Sequence, residues 1–232
     1  LGMSYSVCNV LKEAGIQNIM RWVPFDIDSA HVRNRLRNKM IRPTTIPQTL
    51  EELMVEHAVA REALRLGFTH HKLLARGLMG VQRVKTIGEL FEQKAEVETY
   101  IDMLHVDIIA GTGGLLSHAP RRSQSALLLT DGFLPEGSTR LAQDSVFMMP
   151  HLGVLSTVHP TAALEVFEKD CLVKLGTCIA PRGVLEKEGT ALSVKVDMDG
   201  KSVEEEIPFG SIKVIPLEEN KTAKLVLSPA KG

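Results

Sequence analysis

The sequence predicts an α/β body followed by a small, mostly antiparallel β domain, with the division near residue 170 of 232. Three observations predict it. Helical spacings of apolar residues fill much of residues 1–170. A nearly pure apolar run at 106–110 stops abruptly at Gly111-Thr112-Gly113-Gly114, as a buried strand does at a turn. After residue 171 the period changes: Leu192, Val194 and Val196 alternate with Ser193, Lys195 and Asp197, the pattern of a half-buried strand. The two expected domains are therefore 1–170 and 171–232.

Taken in order, residues 3–14 form a helix that Gly15 ends, and 16–23 form a short strand or connector before Pro24. Residues 26–40 form a helix stopped by Pro43 and Pro47. Thr49 with Glu52 three positions later is a capping-box pattern, so a long helix is expected over 50–66 with Gly67 as its stop. Residues 91–103 read as another helix, rich in Glu92, Glu96 and Glu98. The strand at 106–110 and its glycine turn come next, then a helix beginning near 115 and another over 120–129. Asp131-Gly132 and Pro135-Glu136-Gly137 have loop chemistry. Residues 145–157, with Val146-Phe147-Met148-Met149, read as a buried strand region, and 161–170 as a short helix. In the last segment, Asp199-Gly200 is a hairpin turn. Strands are expected at 202–207, 211–217 and 222–227, with 218–221 as a connecting turn.

The formal net charge of −1, with 24% charged and 44% apolar residues, gives no global attraction to nucleic acid or an anionic membrane. Arg33, Arg35, Arg37, Lys39 and Arg42 are clustered. Ile27, Val32, Leu36 and Met40 run an apolar stripe through the same stretch, which makes the cations a solvated helix face. No apolar run approaches the roughly 18–20 residues that cross a bilayer. Cys8, Cys171 and Cys178 are odd in number without C-x-x-C spacing, which predicts a reducing, cytoplasmic setting.

The glycine turn is the principal candidate site. Glycine lets backbone approach a ligand because no Cβ intervenes, yet its spacing is neither G-x-G-x-x-G nor a P-loop. Local chemistry accommodates either nucleotide or phosphate contact at Gly111, Thr112, Gly113 and Gly114, or tight backbone packing. Asp131 and Asp144 are the carboxylates best placed in sequence to face this turn. Arg121 and Arg122, at the start of the next helix, fit either a nearby phosphate or a solvated surface. His118 adjoins the turn; His151 is expected at a strand end, and Met148 and Met149 in the core. His70-His71 lacks ligands at metal spacing. No general acid, base or metal site is identified by spacing.

Four stretches together carry a resemblance. They are 108–114 with Ser117-His118-Ala119, 131–137, 144–156 and 167–181. They resemble the MutL/GlmL-type accessory proteins encoded with adenosylcobalamin-dependent glutamate mutase and ornithine aminomutase, which are unrelated to the DNA mismatch-repair protein of the same name. The stretch 144–156 is the most specific, and the resemblance runs over essentially the whole chain. It implies the actin/hexokinase/Hsp70-like (ribonuclease H-like) ATPase superfamily, with residues 1–170 as the second α/β lobe.

The resemblance further implies a chaperone-like reactivating factor, in which ATP binding and hydrolysis drive exchange of damaged cofactor from a cobalamin-dependent mutase. The implied cofactor is ATP or ADP with magnesium, the implied partner is the mutase, and no cobalamin is bound directly. Gly111, Thr112, Gly113 and Gly114 match the turn that contacts adenosine. Gly2, within Leu1-Gly2-Met3, matches the tail of the second phosphate-binding segment, whose acidic residue is absent here. The first segment would lie upstream. The chain thus reads as a C-terminal fragment holding the adenosine side of a cleft and having no appreciable turnover alone. Two alternatives stand beside this reading: a non-catalytic interaction module, and a small-molecule kinase of the same superfamily.

Overall fold

A computed structural model describes residues 2–75, 99–183, 189–198, 200–218 and 221–230. The described residues form a mixed α/β arrangement of helices and two three-stranded sheets. They fall into two compact units, 1–178 and 179–232.

The first unit opens with a helical layer. Helix α1 (Val7–Ala14) ends at Gly15, whose φ of 75° is a left-handed conformation that glycine adopts without strain. The expected strand or connector at 16–23 is instead helix α2 (Ile16–Met20). Ile16, Ile19 and Met20 recur at helical spacing, and Ile19 is completely buried. Helix α3 (Ser29–Ile41) buries Val32 and Leu36 while Arg33 and Arg37 face solvent, as expected; Met40 is exposed. These helices share a core with Val55, Ala58 and Val59 of helix α4 (Leu50–Leu74).

The Thr49 hydroxyl caps α4 by accepting the Glu52 N–H at 3.2 Å, and Glu52 Oε2 accepts the Gln48 N–H at 2.7 Å. Gly67 does not stop this helix. It faces solvent with open space around it, and α4 continues to Leu74. A mid-helix glycine costs about 1 kcal/mol. Continuing places Phe68 edge-on against Phe133 with centroids 5.1 Å apart, and burial of that large ring outweighs the cost.

Most of the expected helix at 91–103 lies outside the described residues. From Thr99 the chain is bridged and extended, and a single 3-10 turn covers Met103–His105. Strand β1 (Ile108–Gly111) follows where the apolar run places it. Helices α5 (Gly114–Ser117) and α6 (Arg122–Phe133) then lead to strand β2 (Gly137–Asp144). β1 and β2 pair in parallel, Ile109 opposite Leu141 and Gly111 opposite Gln143. Ile109, Leu116, Leu128, Leu129 and Leu141 pack there with Met103 and with Ala60 of α4.

Asp131 and Gly132 are not a turn; both lie within α6. Asp131 Oδ2 accepts from Arg61 Nε at 2.6 Å, and Gly132 meets α4 at Leu64. A Cβ at Gly132 would stand 2.6 Å from Leu64 Cβ, an atom that rotamer change cannot move. Gly132→Ala would gain about 1 kcal/mol of helix propensity but incur about 1–3 kcal/mol of overpacking. Chemical denaturation should therefore show net destabilisation; an unchanged or raised midpoint would refute this packing.

The expected strand at 145–157 is also corrected. The chain turns at 145–148 and enters helix α7 (Met149–Leu155), with Pro150 in its first turn. Met148 and His151 are exposed rather than core. Asp144 is the cause: its carboxylate accepts the Val146 and Met149 N–H groups, ending the strand and fixing the helix start. Helix α8 (Pro160–Val166) and a π-turn at Phe167–Cys171 lead into strand β3 (Leu172–Ala180), which lies beside β2 to give the order β1-β2-β3.

In the second unit, strands β4 (Thr190–Met198), β5 (Lys201–Pro208) and β6 (Lys224–Pro229) form an antiparallel sheet in the order β5-β4-β6. Leu192, Val194 and Val196 are buried in alternation, and Glu204 and Glu206 face solvent. Gly200, at φ 77°, follows Asp199, which lies outside the described residues. The segment 211–217 is not a strand: Ile215 packs against the β4 cluster without joining the ladder.

Candidate functional site

The glycine turn sits at the carboxyl end of β1, where β2 also ends. Its four residues divide by environment. Gly111 is buried, and a Cβ there would lie 2.8 Å from Leu116 Cδ1 and 3.1 Å from Leu129 Cδ2. Its role is close packing. Gly113, with φ 106° and ψ 152°, precedes α5, and no atom stands within 4 Å of where a Cβ would be at Gly113 or Gly114. Thr112 and Gly114 are exposed. The open side of the turn is therefore residues 112–114.

One carboxylate organises this region. Asp144 is fully buried at the end of β2. Its Oδ2 accepts from Thr112 Oγ1 at 3.1 Å and from the Met149 N–H at 2.6 Å, and its Oδ1 accepts the Val146 N–H at 3.2 Å. Burial pushes the Asp144 pKa up, but hydrogen bonds from the backbone at Met149, Met148 and Val146 and from Thr112 outweigh it and hold the group below its usual value. Asp144 therefore stays ionised and is spent on bracing. Through it the glycine turn and the 145–148 turn are tied to one anchor. The Ser117 hydroxyl strengthens the tie by donating to the Asp144 carbonyl at 2.5 Å.

Of the two carboxylates expected to face the turn, the structure thus brings in Asp144 and sends Asp131 to Arg61. Arg121 and Arg122 are exposed, and Arg122 Nη1 donates to the Ser117 carbonyl at 3.4 Å, at the far end of α5. His118 is exposed beside α5. Gly2 lies in the turn leading to α1, where its carbonyl accepts the Tyr5 and Ser6 N–H groups; these bonds do not reach residues 111–114.

Sequence reasoning missed two features. Phe147 adopts φ 58°, unusual for a bulky residue, and is exposed with Val146 and Met148 directly after the brace. Only an Asp that caps the second and fifth residues after it could have signalled this turn. Gln143, opposite Gly111 in the ladder, is fully buried with both amide atoms unpaired. A lone Gln in a strand-like run carries no signal of that kind. Among the described residues no helix is long and apolar enough to cross a membrane.

A family model described as MutL protein matches residues 1–171, which include the turn and its brace. Protein MutL of Clostridium tetanomorphum is 21% identical over 176 residues, covering 73% of this chain and 35% of that protein. The chain thus spans about a third of that relative's length. No solved structure matches.

Proposed function

From the premise that this chain belongs to the MutL protein family, we propose that it is part of a chaperone-like ATPase that reactivates a cobalamin-dependent mutase, and that residues 112–114 contact the adenosine of ATP or ADP. The observation that supports this is the open turn itself. It lies at the carboxyl end of a parallel strand, the end where open α/β sheets take ligands. Its Gly113 and Gly114 leave space for close backbone approach, and a buried anionic anchor holds its position.

In this reading Gly113 and Gly114 admit the sugar and base to the backbone. Asp144 orients Thr112 and touches no ligand. Gly111 keeps the strand packed under the turn. Magnesium would be carried by the nucleotide phosphates. ATP turnover supplies the work of cofactor exchange; these residues position one end of the nucleotide.

The test is ADP titration by calorimetry, on this chain and on a full-length protein containing it. The full-length protein should bind ADP. Gly114→Asp, at an unstrained and open position, and Gly113→Asp should each abolish binding while leaving the thermal unfolding midpoint nearly unchanged for the first. No ADP binding by the full-length protein would overturn the proposal. A second reading, a protein-interaction module, is favoured by Val154, near the end of α7, and Val158, just after it, exposed at 72% and 70%. Under it, ADP would not bind, and Val154→Lys would reduce capture of the mutase.

A further inference from the structure

Met3 and Ser4 with residues of α1, α3, α4 and the 42–48 connection line a half-open cavity of about 510 Å³ that shares no residue with the glycine turn. That volume lies within the roughly 300–1,000 Å³ of small-molecule sites. Its floor is apolar: Val7, Leu36, Val55 and Val59 are all buried. Its rim is charged, and the charges do not cancel.

Two carboxylates line it, and both are engaged. Glu56 Oε1 accepts from Lys39 Nζ at 2.6 Å, and Glu52 Oε2 accepts the Gln48 N–H at 2.7 Å. Lys39 is doubly committed, since its Nζ also donates to the Thr45 carbonyl and so ties the connection to α4. Two cations remain. Arg35 spends Nη2 on Glu51 at 3.3 Å, while its Nη1 is shut from solvent with no hydrogen-bond partner. Arg42, at the carboxyl end of α3, has no carboxylate partner among the described residues. Arg35 and Arg42 both line the cavity and Arg42 is exposed, so a carboxylate oxygen within reach of their guanidinium groups gains a strong, charge-assisted bond.

We propose that this cavity binds an amphipathic organic anion, its apolar body against Val7, Leu36, Val55 and Val59 and its carboxylate at Arg35 and Arg42. The basic cluster on α3 is thereby divided. Arg33 and Arg37 are solvated, whereas Arg35 and Arg42 face a ligand. This assignment is independent of nucleotide binding at the glycine turn.

The probe is octanoate, titrated into this chain by calorimetry, with 1-octanol as the neutral control. Octanoate should bind about tenfold or more tightly than octanol, and added salt should weaken octanoate alone. Arg35→Gln with Arg42→Gln should weaken octanoate by about tenfold or more while leaving octanol unchanged. Ser4→Phe, at the cavity rim, should remove both ligands. No binding of octanoate, equal binding of octanol, or octanoate binding indifferent to the arginine pair or to Ser4→Phe would each overturn the proposal. Circular dichroism on each variant confirms that the helical layer persists.

Discussion

Glu62→Ala is expected to lower the unfolding free energy by about 3–5 kcal/mol, the typical cost of breaking a buried ion pair from one side. Glu62 is fully buried on α4. Its Oε1 accepts from Arg21 Nη2 at 2.8 Å and from Trp22 Nε1 at 2.7 Å, and its Oε2 accepts from Arg65 Nη2 at 2.7 Å and Nε at 2.9 Å. One carboxylate thus pins the segment after α2 onto α4. Truncation strands the indole N–H and two guanidinium groups, of which Arg21 and Arg65 are part-exposed and recover some solvation. Denaturant unfolding followed by circular dichroism checks this; a loss under about 1 kcal/mol would contradict the pinning role.

The same group sets part of the acid response. Burial pushes the Glu62 pKa up, but hydrogen bonds from Arg65, Trp22 and Arg21, with the Arg65 charge, hold it below 4.5. Its contribution is present above 4.5 and is lost as pH falls through the lower folded value. His57 acts earlier. Burial, then the Arg61 charge, depresses its pKa below 6.5, so the fold resists its protonation and stability begins to fall once pH drops below 6.5. Its Nε2 is buried without a hydrogen-bond partner among the described residues, so a proton added there would leave an unpaired N–H. The thermal midpoint should decline from pH 7 to 5, and His57→Gln should flatten that decline without affecting the drop below pH 4.5.

Asp144→Ala should cost about 2–4 kcal/mol, because it leaves two backbone N–H groups and the Thr112 hydroxyl without their acceptor. Thr112→Val should cost about 1 kcal/mol, since the carboxylate keeps its backbone donors. A double-mutant cycle should give a coupling of about 0.5–1.5 kcal/mol. Additivity would mean that the brace does not reach the turn. In a full-length protein that binds ADP, Asp144→Ala should weaken binding more than it slows any chemistry, because Asp144 positions the turn rather than meeting the nucleotide.

The sequence made several elements legible through short-range physics. The Thr49 cap, the Gly15 stop, the glycine turn after β1 and the alternation of β4 all depend on residues within a few positions of one another. Errors fell where distant partners decided. Gly67 reads as a stop, but Phe133 rewards continuing the helix. Asp131-Gly132 reads as a turn, but Arg61 and Leu64 of α4 claim both residues. Residues 145–157 read as a strand because their apolar content is high; a buried carboxylate turns them into a braced loop and a helix that leaves Val154 exposed.

The sequence by itself determined the family, the position of the glycine turn and the α/β character, since these are written in contiguous residues. Only the tertiary structure decided what each turn residue is for. Gly111 is committed to packing and Gly113 and Gly114 are open, a distinction set by how the fold brings the Leu116 and Leu129 side chains against Gly111 alone. Asp144 became an anchor because burial makes an ionised carboxylate collect every nearby donor, and which donors are near is a property of the fold.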